Sequence, residues 1–210
     1  MAATSRTPSF AAPDAQPPMG LRERKKLKTR VAIRQATYRL IQEQGYEATT
    51  IEQIAEAAEV SPSTVFRYFA TKEDIVLTDE YDPIMEAVLR SRPLDEPPLE
   101  SLRLMMREAL TSFVTAEDEE LRQRTRLMVE IPAIRARMTE SMSDTAKLLS
   151  GVLADRTGRS ADDLRVRVFI AAVLGALREV TLYWGEHGQE GDLLTMIDEA
   201  LDALEGGLRL

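Results

Sequence analysis

Cysteine is absent from the 210-residue chain, and histidine occurs once, as His187. Those two facts remove disulfides, thiolate metal sites, cysteine nucleophiles and histidine-centred triads from the functions open to it. Aromatic residues make up only 5%, so any cluster of them asks for a reason. Long apolar runs are missing too: the longest without a charge, Val168 to Leu177, is shorter than a membrane-spanning helix requires. The opening stretch, "MAATSRTPSFAAPDAQPPMG", lacks a charged start followed by an apolar core. Residues 1–20 therefore read as a disordered tail and not as a secretory signal. These features suit a soluble chain in a reducing cytoplasm, with no metal or cofactor expected and no membrane partner.

What is present begins with size and charge. With 44% hydrophobic and 30% charged residues, the chain can form a small domain joined to a larger one. The net charge of -8 conceals an asymmetry. Residues 1–72 hold 11 Lys and Arg against 7 Asp and Glu, whereas the remainder holds 16 against 28. The basic excess is concentrated in "LRERKKLKTR", where Arg22, Arg24, Lys25, Lys26, Lys28 and Arg30 fall close together. Ahead of a compact helical unit, such a cluster can engage a polyanion, with Arg24 and Lys28 as contacts. Taken alone such a run is more often a solvated helix start, so its neighbours decide.

Those neighbours are three short helical signals. Apolar residues recur at helical spacing from Lys26 to Gln44, and Gly45 stands where that helix stops. Thr50 and Gln53 form a capping box for a second helix, with Ile51, Ile54, Ala55 and Ala58 as its apolar stripe. Ser61 is another N-cap and Pro62 fits a first helical turn, so a third helix begins a few residues after the second ends. Two short helices joined so tightly predict a helix-turn-helix. At about 100° per residue, Val65 and Phe69 face inward and Ser63, Thr64 and Arg67 outward, with Phe66 and Tyr68 on the flanks. An outward face of hydroxyls, one arginine and flanking aromatics fits a DNA major groove. Phe66 falls at the border, where its angle suits the groove or the core equally. Thr71 caps a fourth helix, and Lys72 in its first turn runs against the helix dipole, as a nearby phosphate would explain.

"TTIEQIAEAAEVSPSTVFRYFATKEDIV", Thr49 to Val76, resembles the signature of the TetR family of bacterial transcriptional regulators, in a form common in actinobacteria. The resemblance covers about a third of the chain. It implies an all-α homodimer with an N-terminal three-helix helix-turn-helix DNA-binding domain at 21–78. A larger C-terminal helical domain at 79–210 would bind a ligand and dimerise. Carried onto this chain, it implies DNA contacts from Thr50, Ser63, Thr64, Phe66, Arg67, Tyr68 and Lys72. Phe66 departs from the tyrosine frequent in the family, and Pro62 from a basic or polar residue. Both departures put more weight on Arg67 and Thr64.

Beyond residue 80 the reading rests on periodicity. Helical patterns run from Leu99 to Val114 and from Leu121 to Ile131, and Pro132 opens a helix reaching roughly Asp155. Pro83 interrupts the helix linking the domains and is the expected lever of a ligand response. Val166 to Leu182 is apolar on nearly every side, which assigns one face to its own core and the other to a partner subunit, Gly175 permitting close approach. With the amphipathic segment after it, this predicts a homodimer through helices at about 162–187 and 192–208. An alternative is a single-chain bundle with an apolar central helix. Met105, Phe113, Met128, Met142, Phe169 and Trp184 supply adaptable lining for a small-molecule effector, with Arg124 and Arg178 as polar contacts. Methionines at such spacing are more often plain core. His187 falls in an exposed loop, and "EDEE" at Glu117 to Glu120 marks a solvated helix start.

The expectation is a ligand-responsive repressor that binds a palindromic operator as a homodimer and is released by a small, largely apolar molecule. An enzyme would need a catalytic constellation, and no spacing among the remaining carboxylates, lysines and hydroxyls suggests one. The third alternative is a helical interaction module whose helix-turn-helix is vestigial.

Overall fold

The structure, a computed structural model, describes residues 20–78 and 81–208; within these, the side chains of Glu23, 81–84 and 112–118 are not described. The disordered tail expected over 1–20 therefore lies outside the described residues except for Gly20. Among the described residues the chain is all helical, without strands.

The first helix is long, and the next three are short and capped by side chains. Helix α1, Leu21–Gln44, ends at Gly45, whose φ of 86° is a conformation other residues rarely adopt. Thr50 and Gln53 form the capping box of α2, Ile51–Ala57. Ser61 caps α3, Pro62–Tyr68, and Thr71 with Asp74 forms the capping box of α4, Lys72–Leu77. Capping matters most in helices this short, because most of their amide groups lie in an end turn. Ile33, Ile54, Ala55, Val65, Phe69 and Ile75 close into one buried cluster beneath them.

Helices α5, Tyr81–Ser91, α6, Pro98–Glu130, α7, Pro132–Thr157, α8, Leu164–Glu186, and α9, Leu193–Glu205, form the larger bundle. Their core includes Leu89, Leu102, Met105, Val152, Ile170 and Leu201. Two expectations are corrected here. The patterns from Leu99 and from Leu121 belong to one 33-residue helix, so the acidic run at Glu117 to Glu120 lies within α6 and does not start a helix. No Gly or Pro separates the two patterns, and the alanine and glutamates between them favour helix. Pro83 sits in the first turn of α5, after a break at Thr78, so it does not interrupt a continuous helix.

A third cluster joins the two parts. Tyr38 and Ile41 of α1, Tyr46, Val76 of α4, Leu127 of α6 and Ile134 of α7 are buried together. Polar contacts frame it: Gln123 Nε2 donates to the Tyr38 carbonyl at 2.8 Å, the Tyr38 hydroxyl to the Val76 carbonyl at 2.9 Å, and the buried Arg34 pairs with Glu120. Ile134 is completely buried at this junction. Replacing it with alanine should cost about 2–4 kcal/mol by loss of burial and cavity formation, read as a lower urea midpoint. A cost below about 0.5 kcal/mol would mean that the junction is loosely packed.

Candidate nucleic-acid interface and effector cavity

The exposed face of α3 is organised by its cap. Ser61 Oγ accepts the Thr64 amide at 3.2 Å and lies 2.9 Å from both the Ser63 and Thr64 hydroxyls. Arg67 is exposed, its guanidinium 5.3 Å from the Tyr68 ring centroid. Phe66 is 55% exposed, so the open question of its face resolves outward. Tyr68 is half-buried on the flank and packs against the helix-turn-helix core. Thr50 is exposed at the start of α2, and Arg24 and Lys28 are exposed along the first turns of α1. The expected DNA contacts thus all carry some solvent exposure, Lys72 on α4 and the others on α1, α3 or at the start of α2.

Lys72 has a different environment from the one expected. Its ammonium donates to the carbonyls of Tyr46 at 2.7 Å and Thr49 at 2.9 Å and lies 3.9 Å from the Tyr46 ring centroid. A phosphate is not needed to explain its position in the first turn, because these carbonyls offset the dipole conflict. Lys72 ties α4 to the loop that presents α2. Beside it the Tyr46 hydroxyl donates to Glu73. Burial pushes the Tyr46 phenol upward, reinforced by its bond to Glu73. Burial also acts to raise the Glu73 carboxyl, but bonds from Tyr46, its own backbone amide and Thr71 outweigh that and hold it below the ordinary 4.5.

A cavity of about 530 Å³ lies between the helix-turn-helix unit and the bundle. On one side it is bounded by Tyr68, Phe69, Ala70, Asp74, Leu77 and Thr78; on the other by Met106, Leu110, Arg124, Met128, Met138, Met142, Leu174 and Arg178, among others. Four of the expected lining residues come together there: Arg124, Met128, Met142 and Arg178. Three do not. Met105 is buried in the bundle core, and Phe169 packs against that core. Trp184 is buried elsewhere, its indole donating to the Gly191 carbonyl at 3.4 Å and lying 5.3 Å from Arg122. The Phe113 side chain lies outside the described residues.

Sequence reasoning missed the wall supplied by α4 and, apart from Met142, the one supplied by α7. Arg137 Nε donates to Asp74 Oδ1 at 2.7 Å, and Arg137 also pairs with Glu140. These bonds raise the Arg137 guanidinium further. Asp74 Oδ2 simultaneously accepts the Thr71 amide at 3.1 Å as the cap of α4. The capping role was legible in the pattern Thr71 to Asp74, but its partner 63 residues away was not. The contacts between the two parts thus include an ion pair from α4 to α7, beside those from α1 to α6.

Two stretches match family profiles: residues 33–78 match "Bacterial regulatory proteins, tetR family", and residues 96–209 match "MftR C-terminal domain". The chain is 35% identical over 173 residues to the HTH-type transcriptional regulator TcmR of Streptomyces glaucescens, spanning 79% of this chain and 76% of that protein. Its fold is similar to Thermus thermophilus FadR, a TetR-family repressor crystallised with lauroyl-CoA, with a TM-score of 0.56, 24% identity and coverage of 86% and 95%. It is also similar to Bacillus subtilis FadR in complex with stearoyl-CoA, with a TM-score of 0.57, 23% identity and coverage of 85% and 99%.

The bond between Tyr46 and Glu73 generates a pH prediction. A folded-state carboxyl held below its unfolded value contributes stability that is fully present above about 4.5 and is lost as pH falls through the lowered value. Tyr46→Phe removes the donor, so the Glu73 resonance in a carbon-13 NMR titration should move to higher pKa. The stability gap between the variant and the wild type should narrow below pH 4.5. An unchanged Glu73 titration contradicts the assignment.

Proposed function

The chain belongs to the TetR family of bacterial regulatory proteins, and from that premise we propose that it is a ligand-responsive repressor acting on a two-fold symmetric operator in the cytoplasm. It is a transcriptional regulator and not an enzyme. One observation carries the finer reading: a single cavity is walled by both the helix-turn-helix unit and the bundle. An occupant of that space touches Asp74 and Leu77 of α4 together with α6, α7 and α8.

In this reading residues 21–78 bind DNA and 79–210 sense the effector and dimerise. Ser63, Thr64, Phe66 and Arg67 enter the major groove, Arg67 reading a base edge through its forked donors. Thr50, Tyr68, Arg24 and Lys28 lie along the backbone on either side, where positive charge and hydroxyls hold phosphates without reading sequence. Lys72 acts indirectly, fixing the loop before α2. Exposure of Val168, Ala171, Ala172 and Gly175 on one face of α8 supports a homodimer through α8 and α9, because buried Val166, Ile170 and Val173 occupy the other face. Two copies then present two α3 helices to half-sites about one DNA turn apart. A small, largely apolar effector releases DNA by binding better to a dimer in which α4 has shifted and the α3 helices no longer match that spacing.

The test is a selection of genomic DNA fragments by the purified protein at near-physiological salt, followed by sequencing. A two-fold symmetric site should be enriched, and affinity for it should fall steeply with salt. Arg67→Ala should weaken binding to that site by about 1–3 kcal/mol for each base that the guanidinium reads, while leaving the fold intact. A dimer that enriches no sequence, or an Arg67→Ala protein that binds as the wild type does, contradicts the assignment.

A further inference from the structure

Five charged side chains line the cavity: Asp74, Arg124, Arg137, Asp144 and Arg178. Arg137 pairs with Asp74 and Glu140, and Asp144 with Lys147. Arg178 stands in a different position. Its carboxylate neighbour is Glu179 at 3.9 Å, the outer limit of an ion pair, and the Glu179 side chain is 75% exposed. Consecutive residues on a helix do not face each other, so Glu179 points away from the wall that holds Arg178. That wall is one continuous face of α8: Leu174, Leu177, Arg178 and Thr181 follow the three- and four-residue spacing of a helix and all border the cavity.

A guanidinium with a 32% exposed side chain, set among Leu174, Leu177, Met106, Leu110 and Met142, is held in surroundings that favour pairing it with an anion. We propose that the effector is an amphiphile with a single anionic head group, carboxylate or phosphate, held by Arg178, while its apolar body lies against the methionine- and leucine-rich walls. The methionine side chains adapt to the shape of the apolar body, so the head group sets the selectivity. This deepens the reading of the cavity as the effector site and rests on it.

The experiment is titration calorimetry of the full-length protein with four probes that share one alkyl chain: dodecanoate, dodecyl phosphate, dodecanol and dodecyltrimethylammonium. At least one of the two anions should bind roughly ten- to a hundredfold more tightly than dodecanol, as expected for a charge-assisted hydrogen bond, and the cation should bind weakest. The tighter anion identifies the head group. Arg178→Gln should abolish the preference for the anion while leaving dodecanol affinity unchanged, and Arg178→Lys should recover most of it. Glu179→Gln, outside the cavity, should behave as the wild type. Dodecanol binding as tightly as both anions, none of the four binding, or an anion preference that survives Arg178→Gln would overturn the proposal. The measurement involves no DNA. An anion that binds through Arg178 yet fails to release operator DNA would count against the repressor reading alone.

Discussion

One carboxylate has two duties on which the rest of the molecule depends. Asp74 caps α4 through the Thr71 amide and, with its other oxygen, accepts the Arg137 guanidinium of α7. The first bond sets where α4 begins, and α4 in turn holds the loop before α2 through Lys72. The second bond anchors that same helix to the bundle in the wall of the cavity. A shift of α7 relative to α4 therefore works directly against the cap of the helix that supports the DNA-reading unit. Long-range coupling needs an element with two arrangements whose balance both sites can bias, and α4 has the contacts for it.

The junction around Asp74 explains why the unit is not simply tethered. Tyr38, Ile41, Tyr46, Val76, Leu127 and Ile134 form a small buried core between the two parts, framed by the Arg34 to Glu120 pair and the Gln123 bond to Tyr38. Apolar packing of this kind resists gradual deformation and favours discrete repacking. The cavity lies alongside it, so Leu77 and Met128 belong to both the junction and the cavity wall. The occupancy of the cavity and the packing of the junction share the same side chains.

Local signals in the sequence carried the helix-turn-helix far. Thr50 with Gln53, Ser61 with Pro62, and Gly45 each specify a helix end through groups within four residues, and angular spacing alone set Val65 and Phe69 inward. Reading failed where the deciding partner was remote. Lys72 stood in conflict with its helix dipole, which pointed to a phosphate, until the carbonyls of Tyr46 and Thr49 were brought beside it. Arg137 gave no signal at all, because nothing near it in sequence announces Asp74. In the bundle, composition identified adaptable lining but not its direction: Met105 packs into the core while its neighbour Met106 faces the cavity. Helical periodicity gives a face, and only the packing of the other helices says which face meets open space.

If the cavity is the effector site of a homodimer, filling it must move the DNA-reading helices of the two copies relative to each other. The chain has no cysteine, so a single Glu56→Cys change on the exposed side of α2 gives one spin label per subunit. The most direct measurement is the label-to-label distance distribution by pulsed dipolar spectroscopy, with and without saturating dodecanoate. A defined distance is expected in the free protein, and a displaced distribution when the cavity is occupied. An identical distribution in the two states, with ligand binding verified in the same sample, would contradict the coupling of cavity to DNA-reading helices.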